Sequence, residues 1–247
     1  MSGAPIYDNV FSQMYTGRIQ PACEAGCPDF KKTMPLQNRV TPTGEIVFSQ
    51  SRGLFMGNRG RLHNEAKQIV RSSQHKHWVT CALEFKGVRR ALMSDDSYTE
   101  LFFLDEATAL AAGHRPCWDC RKPQYRTFTR LWASTFQVEK FNRDMMDNAL
   151  HAERRSGNDP QNTHYAAVEA LPNGSCVEFG GNWYVIWGAK LLEWSFEGYL
   201  AEVARPKGIE VQVLTPPSIV AVLQAGYEPE LHPTAARYLT EEASSTR

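Results

Sequence analysis

The sequence predicts an α+β protein in which a small antiparallel meander, joined to a cysteine knuckle and packed helices, is followed by a small β-rich module. Runs of β-branched and aromatic residues with strand-like alternation occur between positions 38 and 104. Helical periodicity dominates from 106 to 155, and strand-like runs return after 175. This segregation of strands from helices favours an α+β fold over alternating β-α-β units.

The first part begins after an irregular arm, residues 1–37, which is rich in proline, glycine and polar residues. The elements predicted next are a hairpin (38–50), a glycine-rich loop (52–61), a short polar helix (64–71) and the three strands of the meander (78–85, 89–93 and 100–104). Asp105 should cap a helix over 106–112, and Gly113 should end it. The Cys117 to Cys120 knuckle follows immediately.

A longer helix is predicted to start at Pro123, because apolar residues follow at spacings of three and four and pack it on the meander. A second helix covers 142–155, and the linker 156–160 places a domain boundary near residue 157. The domains are therefore 38–157 and 161–235, with a frayed tail over 236–247. The second domain should contain strands at 175–179, 183–187, 190–195 and 209–214 and a helix at 218–224.

Composition restricts the functional classes. The 27 basic and 27 acidic residues give a net charge of zero, so the whole molecule lacks the positive field of a typical nucleic-acid binder. No secretory signal and no membrane-spanning apolar run is recognisable, which predicts a cytoplasmic protein without a membrane partner. In that compartment the six cysteines should stay reduced, and closely spaced pairs favour metal binding or redox chemistry over disulfides.

Cys117-Trp118-Asp119-Cys120 has the spacing that lets two thiolates reach one tetrahedral ion. The stretch from Glu100 to Cys120, with its Ala-rich helix and its Gly-His-Arg-Pro-Cys-x-x-Cys ending, resembles the second half of the Ada-type zinc-binding module. That module occurs in the methylphosphotriester DNA repair protein and in knuckles appended to bacterial nucleases. The resemblance implies bound zinc and a role in DNA repair or processing. The longer stretch from Arg52 to Cys120 also resembles a widespread bacterial family, which implies no function.

Two further ligands are needed, and the resemblance offers two pairs. The nuclease-appended form has His-x3-Cys, matched by His77 and Cys81, whereas the repair protein has Cys-x3-Cys-Pro, matched by Cys23 and Cys27. We favour the first pair because the compact meander should deliver Cys81 to the knuckle. A closed site with four ligands is typical of structural zinc.

Methyl transfer is not expected, because this chain departs from the pattern of the repair protein. After Cys120 the sequence does not resemble the DNA reader or the alkyltransferase domain of the repair protein. If the other pair of ligands were used, Cys23 would correspond to the methyl acceptor.

A local basic stretch suggests a nucleic-acid partner, DNA or RNA. Between Arg52 and Arg90 the only acids are Glu65 and Glu84. The glycine-rich loop could present amides and guanidinium groups to phosphates. The candidate contact residues are Arg52, Asn58, Arg59, Arg61, Lys67 and Arg71. The alternative is an ordinary solvated surface.

Two other classes of function stay open. His63-Asn64-Glu65, taken with Pro116-Cys117-x-x-Cys120, matches the ligand and acid–base pattern of zinc deaminases, although the interval is longer than that fold expects. His63 and Glu65 are thus the catalytic candidates for a metal-dependent enzyme acting on nucleic acid or nucleotides. The third class is a protein-interaction adaptor.

Overall fold

The computed structural model describes residues 35–87, 91–154 and 162–239, and these residues belong to one compact unit. The fold is α+β, as predicted, with two six-stranded sheets and five α-helices among the described residues. Residues 1–34 of the predicted arm, the 156–160 linker and the end of the tail lie outside the described residues, as do Cys23 and Cys27. No helix in the described ranges has the length and apolar character needed to cross a bilayer.

The first sheet is mixed. Its strands are β1 (Gln37–Val40), β2 (Ile46–Phe48), β3 (Phe55–Asn58), β4 (Val79–Ala82), β5 (Leu101–Phe103) and β6 (Arg115–Pro116). They are arranged in the order β2-β1-β5-β3-β4-β6, with β1 parallel to β5 and β4 parallel to β6. Helix α1 (Glu106–Ala111) connects β5 to β6, so the chain returns to the β4 edge of the sheet just before the knuckle.

Three predictions in this part are wrong. The glycine-rich loop contains the central strand β3, since Gly57 allows the Phe103 ring to lie against the backbone where a Cβ would approach it to 2.3 Å. The polar helix over 64–71 is absent, because Lys67 has a positive φ of 59° and the Asn64 side chain accepts the Gln68 amide in a turn. Residues 91–93, the described part of the predicted second meander strand, form a turn and not a strand.

The helices after the knuckle are α2 (Lys122–Thr135) and α3 (Arg143–Ala152). The second sheet is antiparallel throughout, in the order β11-β10-β9-β8-β12-β7. Its strands are β7 (His164–Ala167), β8 (Cys176–Phe179), β9 (Asn182–Trp187), β10 (Lys190–Ser195), β11 (Gly198–Ala204) and β12 (Glu210–Val213). Helices α4 (Pro217–Gln224) and α5 (Ala236–Leu239) complete the fold, and the sequence had not predicted β7 or β11.

Helix α1 is buried on every side and joins the two sheets. Ala107 and Ala111 pack with Trp194 and Tyr199 of the second sheet, whereas Leu110 packs with residues of α2 and α4. The hydrophobic clusters thus cross the boundary predicted near residue 157.

Polar contacts reinforce this junction. The Glu106 carboxylate accepts hydrogen bonds from Arg121 at 2.7 Å, from the Tyr227 hydroxyl at 2.6 Å and from the Glu230 amide at 3.0 Å. Asp105, its neighbour, accepts the Tyr199 hydroxyl at 2.5 Å and the His232 amide at 3.1 Å. Arg121 directly follows Cys120, so these contacts connect the knuckle to the C-terminal segment.

Candidate metal centre

Three cysteines converge at the β4 edge of the first sheet. The sulfurs of Cys81, Cys117 and Cys120 all lie within 4.8 Å of one another, and the residues are half-buried. The arrangement follows from strand pairing, because β4 runs parallel to β6 and the Cys117 amide donates to the Thr80 carbonyl at 2.9 Å. Cys81 is therefore held beside the knuckle by backbone hydrogen bonds, and the three sulfurs could hold a metal ion.

Backbone amides point at two of these sulfurs. The Asp119 amide donates to Cys117 Sγ and the Ala82 amide donates to Cys120 Sγ, each at 3.4 Å. Amide hydrogen bonds of this kind stabilise thiolates around a bound ion. The sulfur ligands are soft, a set that suits zinc, copper(I) and iron–sulfur clusters better than magnesium or calcium.

Contacts among the three thiols spread their acidities apart. Hydrogen bonds from Cys120 and then Cys81 lower the pKa of Cys117 to about 2. Contacts with Cys117 and then Cys120, followed by burial, raise the pKa of Cys81, and the contact with Cys117 raises the pKa of Cys120. Thiols bind a metal ion as thiolates, so a metal that binds all three sulfurs would release protons from the cluster.

A buried charged network holds the strand that carries Cys117. The Arg115 guanidinium binds both carboxylate oxygens of Asp147 on α3 at 2.7 Å, and both side chains are nearly inaccessible. His77 Nδ1 lies 2.5 Å from the same carboxylate. Burial opposes ionisation of Asp147, but Arg115 and then His77 outweigh it and lower its pKa. Asp147 thus stays ionised and anchors β6 to α3.

The preceding residue of the motif, His114, is fully buried as a neutral base. Its ring packs against Phe103 and Trp78, and its Nε2 lies 3.1 Å from the Arg59 Nε donor. Burial, followed by the Arg59 and Arg154 charges, holds its pKa well below the usual value.

Two arginines lie over the Trp78 ring. The guanidinium carbons of Arg59 and Arg154 lie 4.2 Å and 4.5 Å from its centroid. Arg154 also donates to the Gly113 and Lys76 carbonyls at 2.8 Å and 2.7 Å, and burial lowers its pKa to about 9. These contacts fix the turn before β6 and the chain that enters β4.

A cavity of about 520 Å³ adjoins the three sulfurs. Met56 and Phe102 form part of its wall. Met56, on β3, lies opposite Cys81 on one neighbouring strand and opposite Phe102 on the other. Glu100 and Tyr98 add polar groups, and the exposed Asp119 lies at the rim. The cavity gives a small ligand access to the sulfur cluster.

The structure does not bring His77, the favoured fourth ligand, to the cysteines. His77 groups instead with Asp144 and Asp147, and within the described ranges no His, Cys, Asp or Glu joins the sulfur cluster as a fourth member. The strand explains the separation, because His77 precedes β4 and its ring turns toward α3 to meet Asp147. The alternative pair, Cys23 and Cys27, lies outside the described residues.

The predicted catalytic pair also stands apart from the sulfurs. His63 is 3% exposed, with Nδ1 2.6 Å from the Thr99 hydroxyl and Nε2 3.2 Å from the Ser94 carbonyl. Both ring nitrogens are thus used to hold a loop. Glu65 is exposed, and neither residue belongs to the metal group that contains Cys117 and Cys120.

The basic candidates divide by burial. Arg59 is fully buried, so its assignment as a phosphate contact is corrected: it packs on Trp78 and bonds His114 and the Gly44 carbonyl. Asn58 accepts the Gly60 amide and stabilises the turn after β3. The exposed or half-exposed cations are Arg52, Arg61, Lys67 and Arg71.

Arg61 and Arg71 meet at a shallow open pocket. They line about 620 Å³ together with His63, Glu65 and Gln74, whose side-chain oxygen accepts the Arg61 amide at 2.7 Å. Lys67 donates to the Leu92 carbonyl at 3.1 Å, which ties this surface to the loop before β5.

Sequence reasoning missed Asp147, Arg154 and Glu106 as parts of the site's support. Their one sequence signal was their position among apolar residues on predicted helices or at a helix end. Comparison with known proteins found no matching family model, no matching curated protein and no matching solved structure. Function is therefore inferred from the chemistry of the site itself.

Proposed function

We propose that this chain is a zinc-binding protein that engages nucleic acid, DNA or RNA, through exposed basic residues in the segments that precede and follow strand β3. The observation that carries the proposal is the convergence of Cys81, Cys117 and Cys120. Zinc is the ion assigned because it favours thiolate ligands in tetrahedral sites and because residues 100–120 resemble the Ada-type module. Bound zinc would supply folding free energy by joining β4 to the knuckle.

The nucleic-acid half of the proposal is supported by charge. Arg61 and Arg71 meet at one open pocket, and guanidinium groups recognise phosphate with two parallel hydrogen bonds. Arg52, before this pair in the sequence, and Lys67, between its two members, add exposed positive charge. Such contacts bind the backbone of nucleic acid without reading its sequence.

Metal analysis tests the zinc half. We expect one zinc ion per reduced chain, lost in Cys81→Ser and in Cys117→Ser but retained in Cys176→Ser, since Cys176 is buried in the other sheet. Cys23→Ser and Cys27→Ser are measured in parallel, and zinc loss in either would assign the fourth ligand to the N-terminal segment. A metal-free wild-type chain would contradict the proposal.

Salt-dependent binding tests the nucleic-acid half. The double variant Arg61→Ala/Arg71→Ala should weaken binding to all sequences and lower the salt slope by about 1 to 2. Arg59→Ala is not informative here, because removal of a buried arginine perturbs the fold. Wild-type protein that binds neither DNA nor RNA at low salt would contradict this half alone.

A second candidate is a metal-dependent enzyme that acts on nucleic acid or nucleotides. The cavity beside the sulfurs favours it, because a zinc ion with three protein ligands keeps one position for water or substrate. In cobalt-substituted protein, an open position predicts that azide changes the visible spectrum. A spectrum that azide leaves unchanged indicates a closed site and excludes this candidate.

A further inference from the structure

Helix α2 carries a line of exposed cations that starts at the knuckle. Lys122, Arg126 and Arg130 recur every four residues, and all three are exposed. We call them the α2 stripe. With a rise of about 1.5 Å per residue, successive charges are about 6 Å apart along one side of the helix. The buried residues of α2, among them Tyr125 and Phe128, lie on its opposite side, so the stripe faces solvent.

The stripe has little neutralising charge around it. Helix α2 contains no Asp or Glu, and none of the three cations forms a salt bridge with a residue in the described ranges. The acid nearest in sequence, Asp119, lies 3.8 Å from Lys86 Nζ. A straight row of uncompensated cations is complementary to a polyanion.

An exposed aromatic ring stands at the start of this row. Trp118 lies between the two knuckle cysteines and is 50% exposed, although large aromatic residues are usually buried. Its ring contacts Tyr125 edge-on at 5.3 Å, and Lys122 Nζ lies 5.2 Å from its centroid. These contacts hold the indole at the end of the stripe while half of its surface stays open to a ligand.

We propose that Trp118 and the α2 stripe form a binding surface for single-stranded nucleic acid. The stripe contacts successive phosphates, and the indole stacks on an unpaired base. Unpaired bases expose a face that an aromatic side chain can cover, whereas duplex bases are already stacked on each other. This inference rests on the proposed function, because it names the form of nucleic acid and adds a surface distinct from the Arg61 and Arg71 pocket.

The test measures fluorescence anisotropy of a labelled oligothymidine of about twelve nucleotides, and of a matched duplex, with the zinc-loaded full chain. Arg126→Ala/Arg130→Ala should weaken single-strand binding roughly tenfold and lower the salt slope by about 1.4, two contacts at about 0.7 each. The control Lys207→Ala/Arg237→Ala removes the same charge from exposed positions after residue 162 and should leave binding unchanged.

Trp118→Ala should weaken single-strand binding by about 5- to 150-fold, because stacking contributes about 1–3 kcal/mol per base. Trp118→Phe should restore most of the affinity, and zinc content is measured for both variants because the residue lies within the knuckle. A Trp118→Ala protein that keeps its zinc and its single-strand affinity would overturn the inference.

The outcomes separate this inference from the proposed function. Binding that is lost in Arg61→Ala/Arg71→Ala but unchanged in the stripe variant overturns the inference and leaves the proposed function standing. Wild-type protein that prefers the duplex also overturns the inference alone. Absence of any binding by wild-type protein contradicts the nucleic-acid half of the proposed function and, with it, this inference.

Discussion

The interior beside the second sheet is built from side chains such as Val177, Ile186 and Val213. The interior beside the candidate metal centre instead contains five charged or polar side chains at 2% exposure or less, Arg59, His114, Arg115, Asp147 and Arg154. Apolar interiors tolerate exchanges of similar volume, because dispersion and burial have little directionality. Buried charges persist only where a partner is held at hydrogen-bond distance. The contrast indicates that the polar interior fixes geometry around the cysteines, while the apolar one supplies general stability.

Metal removal should expose this difference most strongly. Structural zinc contributes on the order of 10 kcal/mol in isolated zinc fingers, so Cys117→Ser should lower the thermal unfolding midpoint more than any substitution described below. Cys176→Ser, which alters a buried thiol beside the second sheet, should have a much smaller effect. Calorimetry with and without chelator checks this, and equal midpoints for the two variants would contradict it.

Breaking the buried ion pair should cost less, but its effect should reach the metal. Asp147→Asn leaves Arg115 buried without its anion and should reduce the free energy of unfolding by about 3–5 kcal/mol. Zinc affinity should fall as well, since Arg115 anchors the strand that leads to Cys117.

Leu191→Ala provides the matched change in the apolar interior. Leu191 is fully buried, so its truncation should cost a similar amount, about 2–5 kcal/mol. Its zinc affinity should equal that of wild type. Urea unfolding measures the loss of stability in each variant, and competitive chelator titration measures its zinc affinity. If zinc affinity falls equally in both variants, the polar interior has no special role.

The pH dependence of stability should show a smaller difference between the two interiors. Because the pKa of His114 is lowered in the fold, the unfolded chain takes up a proton near pH 6.5 that the folded chain refuses. The stability this confers is complete above that pH and is lost as pH falls, by up to about 1.4 kcal/mol per pH unit. Urea unfolding between about pH 8 and about pH 6, a range that spans the ordinary pKa of histidine, measures how the free energy of unfolding changes with pH. That free energy should fall less steeply with decreasing pH in His114→Gln than in wild type. Parallel slopes would contradict this assignment.

The smallest effect is expected at the surface. Arg61→Ala removes a half-exposed cation and should change the free energy of unfolding by less than about 0.5 kcal/mol. Arg59→Ala, two residues earlier, should destabilise the protein several times more, because the side chain bonds His114 and covers Trp78. Equal values from urea unfolding would mean that Arg59 is not held as described.

Local signals in the sequence predicted the segment around the knuckle well. Asp105 caps α1 by accepting the Thr108 amide at 2.9 Å, and Gly113 has the positive φ of 81° that ends the helix. The resemblance and the predicted strand over 78–85 together placed Cys81 at the knuckle, although β4 pairs with β3 and β6 and not with a strand over 89–93. These features depend on neighbours a few residues away or on one strand pairing.

The environment of the arginines could not be predicted in the same way. Arg59 and Arg61 lie in the same glycine-rich, basic stretch, yet Arg59 is buried by Trp78 and by His114, which is 55 residues distant. His77 had the correct spacing for a ligand, but its ring turns to Asp147, 70 residues away. Burial of a charge depends on partners that no short motif specifies.

The position of α1 bears on how this protein can be dissected. A chain cut near residue 157 would bare the Ala107 and Ala111 side of the helix and would strip Glu106 of its Tyr227 and Glu230 donors. A fragment produced for deletion mapping would therefore not fold as an independent domain. Point substitutions in full-length protein are accordingly the sound route to locating each activity.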